Sequence, residues 1–197
     1  MFKFVFKFLS FIITFTIAVL VYYFVISPDN DGDRTGISEG DSSTHTVLVK
    51  KVIDGDTFIL DDDRKVRLLG IDAPERYDSG KLDRDADNSG VSKKVISRLG
   101  KLSGEFLTSI VEGRRVRLER EPDPDYEDED KYGRLLRYSY LEDGTFINGE
   151  MVKEGYCLVY EKYYVSKTPE LRTYQREAKE KGKGLWGEIP GLEQLEN

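Results

Sequence analysis

The chain has 197 residues, 34% of them charged, and a formal net charge of −7 at pH 7. The length suits one globular domain of ordinary size with appendages; the acidity argues against sequence-blind wrapping of a nucleic-acid duplex but leaves room for a local basic site. The single cysteine, Cys157, rules out an internal disulfide, and the single histidine, His45, precedes the first strand, so the folded part has no imidazole for acid–base work.

Residues 8–26 are continuously apolar, with Lys3 and Lys7 in front and Asp29, Asp31 and Asp33 behind. As a helix that run spans roughly 30 Å, the thickness of a bilayer core. A cleaved signal peptide would have a shorter apolar region, about 7–15 residues, ending in small residues. Here Tyr22, Tyr23 and Phe24 fill that zone, and aromatics suit a membrane interface. The expectation is a retained signal anchor over 1–27, with secretion after cleavage as the alternative. Because lysines precede the span, the N-terminus is expected inside and the rest of the chain outside. Residues 28–45, rich in Ser, Gly and Asp, read as a flexible acidic linker. Their "DNDGD" imitates the start of a calcium loop without its closing glutamate.

From Thr46 the pattern turns strand-like. "THTVLVKKVI", "DTFIL" and "KVRLLGI" alternate or run apolar between turn residues. The stretch 76–90 is polar and glycine-containing and reads as a loop; its "DRDADNSG" again imitates a calcium loop, with Lys94 where the glutamate should be. A helix fits 91–112, its apolar face running through Val95, Ile96, Leu99, Leu102, Phe106, Leu107 and Ile110, with Gly100 and Gly104 weakening it locally. "GRRVRLERE" and "GRLLRYSYL" are two more strands, separated by the acidic "EPDPDYEDED". This acidic run reads as a solvated loop, with repulsion of long polyanions as a sharper alternative. A short helix is expected with Asn148 as its cap and Gly155 as its stop. Cys157 in "GYCLVY" reads as a small buried apolar residue. The last helix begins at Thr168 with Pro169 in its first turn and stops at Gly182 or Gly184. The tail is 189–197. Five short strands with helices between and after them point to an α+β, mainly β, fold: a small barrel capped by helices, of the oligonucleotide/oligosaccharide-binding (OB) kind.

The charged residues gather near strand ends. Asp54 and Asp56 are two apart and so face one side of an extended segment. Asp72 ends the strand that carries Arg67, Glu75 follows a proline-fixed turn, and Arg134 enters a distant strand just after a glycine. Carboxylate oxygens suit calcium or magnesium, and do not suit zinc without His or Cys. Arginines grip phosphate oxygens in pairs and stabilise charge developing on them. With no histidine at hand, a glutamate is the natural activator of an attacking water.

"VIDGDT", "RLLGIDAPE", "KYGR", "NGEMVKEGY" and "AKEKGKGLW", in that order, resemble the staphylococcal nuclease (thermonuclease) family over about 46–186. The resemblance implies an OB barrel with three helices over 46–188, and a monomeric domain that hydrolyses DNA and RNA with little sequence preference, leaving 3′-phosphates. It implies one Ca²⁺ held by Asp56, Asp72 and the backbone carbonyl of Ala73, with Asp54 supporting that site. Arg67 and Arg134 would clamp the scissile phosphate, Glu75 would orient or deprotonate the water, and Lys131, Tyr132 and Tyr163 would line the nucleotide site. Two departures stand out: Ala73 replaces a threonine, and the stretch 76–90 is longer than in compact members. A non-catalytic binding module and a calcium-binding surface module are the competing classes.

Overall fold

The computed structural model describes residues 46–188; the expected anchor, linker and tail, and His45, lie outside the described residues. Among the described residues no helix is long and apolar enough to cross a membrane.

Five strands close a barrel. They are β1 (Thr46–Asp54), β2 (Thr57–Leu60), β3 (Lys65–Leu68), β5 (Arg115–Glu119) and β6 (Leu135–Leu141), in the spatial order β1-β2-β3-β6-β5, with β5 returning to β1. The β3–β6 pairing is parallel and the others are antiparallel. This is the expected OB-like barrel. A separate two-stranded ladder pairs β4 (Ile71–Asp72) with β7 (Leu158–Val159). Alternation along the strands sends Val49, Phe58, Leu60, Val66, Leu68 and Val116 into a common core, all at most 1% exposed. Each such side chain, fully buried, contributes about 1.5–3 kcal/mol relative to an exposed one.

Among the described residues, five helices surround the barrel: α1 (Gly80–Ser89), α2 (Lys93–Val111), α3 (Ile147–Lys153), α4 (Thr168–Glu180) and α5 (Leu185–Glu188). The three anticipated helices are α2, α3 and α4; α1 and α5 are additional. The loop expected over 76–90 is therefore corrected, since its second half is α1. Ser79 caps that helix by accepting a hydrogen bond from Leu82 N at 3.2 Å, and Gly90, at φ 70°, ends it in the left-handed region. Buried Leu82 holds the helix down. Helical spacing distributes Asp83, Asp85 and Asp87 around α1, so they cannot wrap a single ion as a calcium loop would; Asp83 pairs with Lys93 instead.

Asn148 is also corrected. It is not the cap of α3, because the capping position is Phe146 and Asn148 lies inside the helix, 0% exposed. Its Oδ1 accepts from Ser139 N at 2.9 Å, and its Nδ2 donates to Leu69 O at 3.0 Å and Arg137 O at 3.2 Å. One amide thus ties α3 to β6 and to the segment following β3. Asn148→Ala should leave buried backbone groups without partners and cost about 2–4 kcal/mol of stability. A urea midpoint within error of wild type would contradict this role.

Candidate active site

Three turns at one end of the barrel carry the predicted chemistry. The β1–β2 hairpin turns through Gly55 and Asp56, with Asp54 paired to Thr57 across it. Asp54 Oδ1 accepts a hydrogen bond from Asp56 N at 3.2 Å, an Asx-type turn. This frees the Asp56 carboxylate to point inward, where it is 6% exposed. Asp56 Oδ1 accepts from Thr57 Oγ1 at 2.8 Å, and Asp56 Oδ2 accepts from Ala73 N at 2.9 Å.

Arg67, on β3, lies between two of the acids. Its Nη2 is 3.1 Å from Asp56 Oδ2 and 2.9 Å from Asp72 Oδ1. Its Nη1 donates to the carbonyls of Leu68 at 3.0 Å and Ile71 at 2.8 Å. Burial works against ionisation of Asp56, but the Arg67 guanidinium and the Ala73 N–H outweigh it and hold the carboxyl below its usual pKa. At Asp54 the balance goes the other way: burial, then the neighbouring Asp56 carboxylate, outweigh the Asp56 N–H and the more distant Arg67 and push it up to about 7.

Arg134 enters the same end from the turn before β6. Its Nε is 2.7 Å and its Nη2 2.6 Å from Asp130 Oδ2, and Nη1 donates to Thr57 Oγ1 at 3.4 Å. Thr57 therefore links Arg134 to Asp56. The Asp130 Oδ1 accepts from Tyr132 N and Arg134 N, which shapes the "KYGR" turn. The acidic run is thus not simply a solvated loop. Asp128 pairs with Arg137 at 2.6 Å and Arg120 at 2.8 Å, and Asp130 fixes Arg134.

Glu75 lies in the turn after β4, where its Oε1 accepts from Arg76 N at 3.1 Å and Tyr77 N at 3.3 Å. Among the described residues no hydrogen bond or ion pair joins it to Arg67 or Arg134. Tyr132 and Tyr163 are 71% and 55% exposed. Lys131 Nζ and the Arg134 guanidinium sit over the Tyr132 ring, at 5.0 and 5.5 Å from its centroid. Asp54, Asp56, Arg67, Asp72, Ala73, Glu75, Lys131, Tyr132, Arg134 and Tyr163 all line one cleft of about 1410 Å³.

Among the described residues no three His, Cys, Asp or Glu side chains gather closely enough to hold a metal by themselves. The expected set needs only two carboxylates and a carbonyl, with water completing the six to eight oxygens calcium takes. Those oxygens do hold a cation: Lys81 Nζ lies 2.9 Å from Asp72 Oδ2 and donates to Ala73 O at 3.0 Å. The donor chemistry fits a hard divalent ion.

The family described as staphylococcal nuclease homologue matches residues 65–188. The chain belongs to that family. It is 32% identical to a thermonuclease of Staphylococcus intermedius over 181 residues, 89% of this chain and 94% of that one. It is 34% identical to an uncharacterized endonuclease of Escherichia coli O157:H7 over 143 residues, 71% of this chain and 76% of that one. It is 29% identical to a thermonuclease of Staphylococcus hyicus over 157 residues, 77% of this chain and 80% of that one. The family match opens at β3, so Asp54 and Asp56 precede it.

Sequence reasoning missed Thr57, Lys81 and Asp130, and saw in Gly100 only a weak point of the helix. Helix α2 runs so close to the site that a Cβ on Gly100 would stand 2.5 Å from Pro74 O and 2.7 Å from Arg76 N. A Cβ on Gly55 would stand 1.8 Å from Ser103 Oγ on the same helix. Real Cβ atoms do not approach backbone that closely, so Gly100 permits the contact that seats the Glu75 turn. Gly100→Ala should shift that turn, destabilise the domain by about 1–3 kcal/mol and disturb whatever chemistry Glu75 performs more than metal binding at Asp56. Denaturation and Ca²⁺ titration of the variant check both; unchanged stability would mean the helix simply moves away.

Proposed function

We propose that the chain is a calcium-dependent nuclease that hydrolyses phosphodiester bonds of DNA and RNA with little sequence preference. The observation that carries the reading is the convergence of Asp56, Asp72, the Ala73 carbonyl, Arg67, Arg134 and Glu75 on one cleft, in a chain whose relatives include thermonucleases and endonucleases.

Asp56, Asp72 and Ala73 O would hold one Ca²⁺, which supplies charge neutralisation at the phosphate and polarises its phosphorus–oxygen bonds. Arg134 reaches the phosphate by exchanging part of its pairing with Asp130. Arg67, sharing its Nη2 between two carboxylates, sets positive charge beside the same oxygens. Glu75 takes a proton from water as the water oxygen bonds to phosphorus. The bond from phosphorus to the 5′ oxygen breaks, the departing alkoxide takes a proton from solvent water, and a 5′-hydroxyl and a 3′-phosphate are left. Lys131, Tyr132 and Tyr163 hold the nucleotide, the rings stacking on bases without reading their edges.

Glu75→Gln removes the base and keeps both arginines, so turnover should fall about 10²–10⁴-fold with KM little changed. Excess EGTA should abolish cleavage of plasmid and single-stranded RNA by the full-length chain, and added Ca²⁺ should restore it. Undiminished cleavage in EGTA would defeat the metal role, and near-normal turnover of the variant would defeat that of Glu75.

The chemistry also supports an extracytoplasmic domain tethered by the N-terminal segment, since an unspecific nuclease endangers its own genome. Lys3 and Lys7 ahead of the apolar run favour that orientation. Protease added to intact cells or spheroplasts should remove the C-terminal domain. Protection until the membrane is breached would mean the reverse orientation, and recovery only from the medium would mean that the anchor is cleaved.

A further inference from the structure

Lys81 is not among the residues that the family resemblance assigns to the site, yet it contacts two of the proposed calcium ligands directly. Its Nζ is 2.9 Å from Asp72 Oδ2, 3.0 Å from Ala73 O and 3.6 Å from Asp85 Oδ2. The ammonium has three N–H donors and faces these three oxygens. The opposite oxygen of the same Asp72 carboxylate is taken by Arg67. Asp72 is thereby bound on both sides by cations from the chain itself.

The supporting element is built for this contact. The Ser79 cap and buried Leu82 fix the first turn of α1, where Lys81 stands. Asp85 follows one helical turn later and faces the same side, so it holds the lysine over the cleft. Helix α1 packs on α2, which also backs the Asp56 and Glu75 turns. The two cations differ in freedom. The side chain of Arg67 is 13% exposed and bonded to two backbone carbonyls, whereas that of Lys81 is 32% exposed and hangs on a flexible four-carbon stem. Arg67 is fixed; Lys81 can leave.

We propose that Lys81 is a tethered competitor for the divalent cation: its ammonium holds Asp72 and Ala73 O until Ca²⁺ displaces it, and so raises the Ca²⁺ concentration at which the site fills. The proposal rests on the calcium reading of the site. An oxygen cage that must first expel a covalently attached cation binds more weakly than the same cage without one. Wild-type affinity should then fall near the weak end of protein calcium sites, with Kd about 10⁻⁴–10⁻³ M, as in extracellular modules. A nuclease so tuned stays unloaded where calcium is scarce and fills where it is abundant.

The test is metal binding, read without catalysis. Full-length wild type, Lys81→Gln and Lys81→Arg, in detergent and stripped of metal, are titrated with Ca²⁺ by calorimetry and by competition against Tb³⁺ luminescence. Thermal midpoints are taken with and without Ca²⁺. Lys81→Gln should bind Ca²⁺ at least about tenfold more tightly, and Lys81→Arg should remain weak because it keeps the charge. Metal-free Lys81→Gln should melt below wild type, since Asp72 Oδ2 loses its counter-ion, and should gain more from Ca²⁺ than wild type does. Equal affinity in all three, or weaker binding by Lys81→Gln, overturns the competitor while leaving the calcium site intact. No Ca²⁺ uptake by any of them overturns the calcium reading, and the competitor with it.

Discussion

The site depends on the buried guanidinium of Arg67. Asp56 belongs to the β1–β2 turn and Asp72 to the short ladder beyond the barrel; the Ala73 N–H draws Asp56 to that ladder, but two carboxylates brought so close repel unless a cation lies between them. Arg67 Nη2 contacts both, while Nη1 is satisfied by the carbonyls of Leu68 and Ile71. Left without such a partner, each buried carboxylate would carry a desolvation penalty of several kcal/mol. The same bridge that makes the acids tolerable also brings their oxygens together, so the stability of this end of the barrel and its capacity for cations share one origin.

Helix α2 supplies the backing. Gly55 and Gly100 bring its backbone and Ser103 against the two turns that carry Asp56 and Glu75. Ser103 Oγ donates to Tyr156 O at 2.7 Å, and buried Cys157 donates from Sγ to Gly55 O at 3.2 Å. Burial keeps that thiol well above its usual pKa, so it remains a neutral, weakly donating group beside Asp56 and Asp72. Gly100 on the helix and Gly55 on the hairpin let one element register two loops that are distant in sequence.

Much of this was legible in the sequence because it follows local rules. Strand alternation located the barrel strands, Thr168 with Pro169 located α4, and acids beside turns located the cleft. The errors came where tertiary contact decides. Asn148 carries the residue type of a cap, but three backbone groups from two other segments claim its amide. The stretch 76–90 looked like a polar loop because α1 buries only Leu82 and Ser89, too little to print a helical stripe. Its boundaries were nevertheless written in Ser79 and Gly90, a cap and a stop at the proper spacing. Asp130 could not be told from its acidic neighbours, since only folding brings its carboxylate onto Arg134.

The charges of the cleft also explain why an acidic chain can act on a polyanion. Asp56, Asp72 and Asp85 face Arg67 and Lys81, so three carboxylates meet two cations before Asp54 is counted. A phosphodiester approaching that set meets a net negative field at short range, where screening by salt is weakest. On the proposed reading, one divalent ion would cancel that excess even with Lys81 displaced, and Arg134 would then attract the phosphate instead of opposing a repulsion. The negative charge of the cleft would thus act as a selective device, delaying a phosphate until a cation has entered.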